Sequence, residues 1–533
     1  MSRSPTEANA RPAARSTGLR LLLFLLPLLA FGIASVLLGQ DTNWDQRNYH
    51  VYNAHALLTG RLGYDYIPAH SLTFLPQLYN VPFYLMTVMA PRLDPRLTGF
   101  ILGAVHGLNA VLLFLVARAI LAPPSTERIW IPLLATAVGL WSPAFLSELG
   151  TTMGDNVTSI FILAGILVLV CSGPERPTPT RAALAGLSVG VAAGLKYTNV
   201  VYAAALLAAL AALRLSRRIS SRALVVAALG AATGFVAVAG HHMWRLWQLY
   251  ANPFFPFANA LFRSPYLAAV NFQDRRWQPT DIADAAWFPF YPLLEPQRTL
   301  EIPLRDARWA LLALLAGLGI ARYVIERTLR ARRRGHSRPV VLLLWFCGVG
   351  FVLWELAFGY HRFLIPLELL SGIALLALLG FPYTTRTLAA FVLLSLLIVA
   401  TVRVPSWGRE PWGPTWFGTR VPEPVADDAM VLMVGNGPTA HVIPFFPPQV
   451  RFVRVEADLL PLARDAKLGR EIADTVAAHR GPLSVLLRGR LDAAAQQTLA
   501  AYGVHGLPAQ CRRVESRLDA KLFLCAAERS AAR

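Results

Sequence analysis

A polytopic α-helical membrane protein with a small α/β domain at its C-terminal end is the fold class that the 533 residues predict. Three observations lead there. The chain is 55% hydrophobic and 15% charged, with a mean hydropathy of +0.46, too apolar for a soluble multidomain protein of this length. Its apolar residues fall into windows near the roughly twenty residues that span a bilayer. Beyond Val425 those windows stop, and short alternating strand and helix patterns begin.

The windows are 19–39, 97–117, 129–147, 157–171, 182–195, 199–213, 223–241, 308–325, 339–357, 363–380 and 388–402, which predicts about eleven transmembrane helices across 19–402. The stretch 182–213 reads alternatively as one bent element broken at Lys196-Tyr197-Thr198-Asn199. Residues 72–90 are also apolar, but Pro76, Gln77, Asn80 and Pro82 interrupt them, so they are expected to be interfacial or re-entrant. Arg3, Arg11, Arg15 and Arg20 precede the first window as in a signal peptide. That window is too long for such a core and lacks a small-x-small exit, so 1–18 reads as a cytoplasmic tail and 19–39 as an anchored span.

The formal charge of +19 comes mostly from Arg in short connectors. It reads as an orientation signal rather than a nucleic-acid stripe, and no nucleic-acid partner is expected. If 72–90 does not cross, the tail, Arg118, Arg128, Arg176, Arg181, the Arg214–Arg222 cluster, the RTLRARRRGHSR run at 327–338 and Arg386 share the cytoplasmic side. The loops 40–96, 148–156, 196–198, 242–307 and 358–362 then face outward with everything beyond 403. The expected location is a bacterial inner (plasma) membrane, with a linker at 403–424 and a periplasmic or extracellular domain at 425–533.

In that domain VLMVGN, RFVRVE, LSVLLRG, CRRVES and KLFLC read as strands, with helices near 469–479 and 491–501. Gly435-Asn436-Gly437 is a strand-end turn rather than a dinucleotide fingerprint. Cys171 and Cys347 lie in apolar runs. Cys511 and Cys525 flank a polar turn, and an oxidising compartment would let them form a disulfide. No Cys/His spacing marks a zinc site.

This sidedness gathers Asp41, Asp45, Glu148, Asp155, Lys196, Asp274, Arg275, Arg276, His361 and Arg362 into one space, and ionisable residues in or beside a membrane are functional candidates by default. In DTNWDQRNYHVYNAHALLTGRL, residues 41–62, helical spacing puts Asp45, Asn48, Tyr49, Tyr52 and His55 on one face and Trp44, Val51, Ala54 and Leu58 on the other. That pattern predicts an amphipathic helix lying flat at the interface.

The segment DQRNY, Asp45 to Tyr49, resembles the acidic D-E-x-x-Y-type motif in the first outer loop of the GT-C superfamily of integral-membrane glycosyltransferases, such as protein mannosyltransferases and the aminoarabinose transferase. The resemblance covers roughly 19–402 and implies a GT-C-like fold that uses a polyprenyl-phosphate-linked sugar donor. It implies that Asp45 is the catalytic carboxylate and that Tyr49 holds the aromatic position. Gln46 departs from the usual second acid. SELGTTMGDN is similar to the acidic second loop of these enzymes, with Glu148 or Asp155 as the further acid, and GLKYTN with Lys196 also looks like this group.

Transfer from a lipid-phosphate sugar with inversion needs a carboxylate base for the acceptor hydroxyl and cations for the departing phosphate. Asp45 is the expected base, with Asp41, Glu148 and Asp155 as accompanying acids. Lys196, Arg276 or Arg362 would hold phosphate, and Tyr49, Tyr52, His55, Arg275 and His361 complete the candidate substrate-binding set. Lys196 reads equally as a snorkelling helix-end residue. The loop 252–279 and the FGYHRFLIP turn read either as substrate contacts or as interfacial anchoring. No cofactor is required by the pattern, and a divalent metal remains a candidate. The expected partners are the lipid-linked donor, the bilayer and a glycan, lipid or protein acceptor. The rival classes are a transporter or flippase, for which repeated halves are missing, and a polysaccharide ligase or assembly factor.

Overall fold

The computed structural model describes residues 10–121, 129–171, 176–328, 336–380, 383–457, 460 and 466–530. The basic positions Arg3, Arg128 and 330–334, which carry part of the orientation signal, lie outside the described residues.

Each of the eleven windows is helical: α1 Ala10–Leu38, α2 Pro95–Leu121, α3 Trp130–Leu140, α4 Asp155–Val170, α5 Pro179–Leu195, α6 Val200–Leu215, α7 Ser221–Tyr250, α8 Arg308–Thr328, α9 Arg338–Ala357, α10 Ile365–Leu379 and α11 Thr385–Thr401. Among the described residues, six helices are long and apolar enough to cross a membrane: Pro95–Leu121, Tyr197–Leu215, Ser221–Tyr250, Arg308–Glu326, Arg338–Ala357 and His361–Leu379. The window 129–147 is not one helix. Ser142 is extended at φ −131°, ψ 144° ahead of Pro143, which starts a separate short helix, Pro143–Ser147.

Close contacts at glycine fix the directions of the helices. A Cβ on Gly186, Gly190 or Gly194 of α5 would fall on Ala227, Ala231 or Phe235 of α7, while Gly230 and Gly234 of α7 face Ala183 and Leu187. The two helices are therefore parallel, touching backbone to backbone through small residues. α6 must run back between them, so 182–213 is a hairpin rather than one bent element. It turns at Lys196, which is extended at φ −146°, ψ 113°. On α2, Gly103 meets Phe31, Gly32 and Ser35 of α1, and Gly107 meets Pro27 and Leu28. The numbering descends, so α1 and α2 are antiparallel and the loop between them leaves and returns on one side. Within it, 78–89 forms only short pieces, Leu78–Asn80, Val81–Tyr84 and Leu85–Met89. α3 and α10 are also antiparallel, with Gly139 against Leu369 and Gly372 against Ala135.

The C-terminal region is a five-stranded sheet in the order β4-β3-β5-β7-β6, from β3 Met430–Val434, β4 Arg451–Arg454, β5 Leu483–Arg488, β6 Val504–Arg513 and β7 Leu522–Arg529, with helices α12 Lys467–Ala478 and α13 Ala493–Ala500. β3 is parallel to β4 and β5, whereas β7 is antiparallel to β5 and β6. Of the CRRVES segment only residues 511–513 are strand, the end of a longer strand whose register shifts between Gly506 and Cys511. Cys511 and Cys525 lie opposite each other on β6 and β7 and form a disulfide.

The expected linker is packed, not free. β2 Arg409–Glu410 pairs with β1 Gln40–Asp41, Trp412 Nε1 donates to the Val36 carbonyl at 2.7 Å, and Gln40 Nε2 donates to the Trp416 carbonyl at 2.6 Å. The indole and amide groups at this mouth find backbone partners there, so the strap is bound to the end of α1 and the start of the loop that follows it. The helix at 44–59 consequently does not lie flat at an interface. Tyr49, Tyr52 and Ala56 pack against Val431, Met433 and Ile443, while Val51 and Ala54 pack against Phe83, Trp416 and Phe417. Its polar face is covered because the sheet brings a second apolar surface, which the helix's own pattern does not reveal.

Candidate functional site

Five ionisable residues from four interhelical segments meet beside this sheet and strap. Arg362, on the turn before α10, donates from Nη1 to Asp45 Oδ2 at 2.8 Å, and its Nε lies 3.4 Å from Asp155 Oδ2 and 3.8 Å from Glu148 Oε1. Lys196 Nζ donates to the same Asp155 Oδ2 at 2.6 Å and to the Met153 carbonyl at 3.0 Å. Asp45 keeps 14% of its side-chain surface exposed, against 9% for Arg362 and 1% for Glu148, so it is the most open member. The Tyr360, Phe363 and Trp407 rings surround the Arg362 guanidinium at 5.5, 5.5 and 5.6 Å, within cation–π range.

Local structure explains why Asp45 faces this cluster. The helix contains a π-turn at Gln46–His50. Its wider i→i+5 turn brings Tyr49 and His50 towards the face of Asp45 and rotates the later residues away. Tyr52 accordingly donates to Asp65 Oδ2 at 3.1 Å, and His55 Nδ1 pairs with Tyr84 Oη at 2.8 Å, both outside the cluster. Arg275 and Arg276 are exposed, with Arg276 paired to Asp274 at 2.7 Å. His361 is buried against Glu368 Oε1 at 2.9 Å.

Asp41 is fully buried and serves as an acceptor hub. Its Oδ2 takes Asn43 Nδ2 at 2.6 Å, Gln46 Nε2 at 3.0 Å and Thr152 N at 3.0 Å, and its Oδ1 takes Asn43 N at 3.1 Å. Gln46 also accepts from Trp416 Nε1 at 3.1 Å. An amide can donate and accept at once, which a glutamate at this position could not do, so the departure from a second acid has a structural reason.

Burial tends to raise the Asp45 carboxyl, but Arg362, helped by Lys196, holds it below its ordinary value. Asp45 is thus a carboxylate in the resting site. Burial, reinforced by Asp155, pushes Glu148 well up. Burial likewise raises Asp41 and Tyr49 and drives His50 down to about 3, leaving that imidazole neutral. His50 Nδ1 bonds Thr152 Oγ1 at 2.9 Å, and its buried Nε2 has no hydrogen-bond partner among the described residues. Sequence periodicity missed His50 because α-helical spacing turns it off the Asp45 face. Trp407 gave no local signal, since only the fold brings it to Arg362. Glu368 did give one, an acid in an apolar window.

Asp306, His361 and Glu368 each offer one buried ligand atom, all within 4.8 Å of one another, which makes them a candidate metal set. Their oxygens are already engaged: Arg308 Nε donates to Asp306 Oδ2 at 2.5 Å, and Glu368 takes His361 and the Phe145 N–H at 3.1 Å. At the Asp45 cluster, Arg362 and Lys196 stand where a cation would bridge the carboxylates. In both sets a cationic side chain already engages the carboxylates, Arg308 in the first and Arg362 with Lys196 in the second.

The fold and site together define a multi-pass membrane protein with a buried ionic centre at one end of its helices, under an extramembrane α/β cap. No family model and no curated protein matches the chain. Among solved structures, it is similar to the Archaeoglobus fulgidus oligosaccharyltransferase in apo form, at 10% identity and a TM-score of 0.44, covering 90% of this chain and 71% of that one. The same enzyme in complex with Zn and sulfate gives 11%, 0.46, 87% and 68%. ArnT from Cupriavidus metallidurans bound to undecaprenyl phosphate gives 10%, 0.39, 95% and 97%.

Proposed function

We propose that this protein is an inverting membrane glycosyltransferase that moves a sugar from a polyprenyl-phosphate donor to a glycan, lipid or protein acceptor at the outer face of a bacterial inner membrane. One observation carries the reading: a partly open carboxylate, Asp45, shares a buried site with two cations, Arg362 and Lys196. The acceptor hydroxyl attacks the sugar's anomeric carbon and gives its proton to Asp45. The carbon–oxygen bond to phosphate breaks, and the polyprenyl phosphate leaves with the electron pair, stabilised by Arg362 and Lys196. Tyr360, Phe363 and Trp407 offer faces for the sugar.

In this reading all eleven helices cross, the Arg-rich connectors are cytoplasmic and the cap is periplasmic. The antiparallel α1–α2 pair supports a first outer loop on the same side as the C-terminal sheet. A transporter is less well supported, because the ionic centre lies at the helix mouths under a cap rather than at the bilayer midplane. The test is release of free polyprenyl phosphate by purified protein supplied with polyprenyl-phosphate sugars and membrane-extracted acceptors. No release with any donor would refute the reading.

A further inference from the structure

Arg362 has more partners than it can satisfy at once. Its Nη1 is committed to Asp45, while its Nε makes no hydrogen bond, with Asp155 Oδ2 at 3.4 Å and Glu148 Oε1 at 3.8 Å, and neither Glu148 oxygen has a hydrogen-bond partner among the described residues. The Nε and both Glu148 oxygens are buried, where an unmet polar group is costly. Aromatic rings rather than backbone carbonyls surround the guanidinium, and Asp45, Asp155 and Glu148 all lie within 4 Å of it, so it has more than one carboxyl to pair with. The same Arg362 is the cation the proposed reaction needs for phosphate, and its present partner is the carboxylate the reaction needs as base.

Resting on the glycosyltransferase reading, we propose that Asp45 and the donor's phosphate compete for Arg362. In the resting site Arg362 pins Asp45. A lipid phosphate entering the site draws the guanidinium off, turns its Nε onto Glu148, and frees Asp45 to take the acceptor's proton. The base is therefore armed only after the donor is seated, which imposes an order of binding and guards against proton abstraction in an empty site. Lys196 and His50 remain beside Asp45 after the exchange, and Tyr49 and Tyr79 face it from the loop.

The experiment measures binding of undecaprenyl phosphate, without sugar, to the purified full chain in nanodiscs, for wild type, Asp45→Asn, Arg362→Gln and the double variant. Competition predicts that Asp45→Asn binds roughly tenfold tighter than wild type, the scale of one charge-assisted hydrogen bond. Arg362→Gln should bind more weakly than wild type, and adding Asp45→Asn to it should restore nothing. Asp45→Ser, with monodispersity and melting checked, must give the same sign as Asp45→Asn. An equal gain in the Arg362→Gln background would mean simple charge repulsion and would overturn the competition, as would no gain at all. In either case, wild-type binding would leave the glycosyltransferase reading standing. Absence of binding by all four proteins would overturn both.

Discussion

Lys196 and Asp155 are joined at 2.6 Å across the tops of two helices, α5 and α4, and the pair is almost wholly buried. Asp155 also sits 3.4 Å from Arg362, so it holds the two cations of the site at a fixed spacing. Removing one partner of such a pair leaves an uncompensated buried charge, at a cost of about 3–5 kcal/mol. Lys196→Ala is therefore expected to lower the melting temperature and to raise the donor KM at least tenfold, whereas Lys196→Arg keeps the charge and should recover part of both. Steady-state kinetics with a polyprenyl-phosphate sugar checks this; an unchanged donor KM in Lys196→Ala would remove Lys196 from phosphate binding.

The depressed Asp45 carboxyl sets a pH expectation. A base works only when deprotonated, so kcat/KM should stay level from neutral pH downward and fall only as pH drops through Asp45's lowered value, below the ordinary carboxylate range of about 3.9. Arg362 is the main group lowering it, so in Arg362→Gln the acid limb should move up. An acid limb at the same pH in both proteins would show that this limb does not belong to Asp45.

The C-terminal disulfide closes a loop with a sequence separation of 14. Such a crosslink contributes roughly 3 kcal/mol, chiefly by restricting the unfolded chain. The double variant Cys511→Ser/Cys525→Ser should unfold at lower temperature under oxidising conditions and match the reduced wild type. Equal melting of oxidised wild type and double variant would contradict this.

Helix directions lead to a labelling pattern. Cysteines introduced at Pro265 and Gln449 should react with an impermeant maleimide from the same side, and one at His336 only from the other, because one long apolar helix, Arg308–Glu326, separates 265 from 336. Labelling of positions 265 and 336 from one side would rule out the proposed crossing of α8.

The helices and strands were legible in the sequence because hydrophobic length and periodicity are local properties. Asp45, Glu148, Asp155, Lys196 and Arg362 were each visible as ionisable residues at helix mouths, and one assumption about residues 72–90 placed them together. What the sequence hid was non-local or depended on register. Tyr52 and His55 shared a face with Asp45 only while the turn was α-helical, and the π-turn at 46–50 exchanged them for His50. The helix at 44–59 looked interfacial because nothing in its own pattern shows that β3 and the 403–424 strap lie over it. Asp41, at the exit of the first window, accepts from four close donors that only the folded loops bring together.

The most direct measurement compares turnover of a polyprenyl-phosphate sugar by wild type, Asp45→Asn and Asp41→Asn, all purified and confirmed folded. Asp45→Asn keeps the size of the side chain and removes the base, so release of polyprenyl phosphate should fall about 10²–10⁴-fold. Asp41→Asn points an N–H at donors that now meet a carboxylate, so it should lower the melting temperature by the equivalent of about 1–3 kcal/mol while its folded fraction still turns over. Near-normal turnover by Asp45→Asn, with Asp41→Asn folded but inactive, would contradict Asp45 as the base and move the chemistry to Asp41.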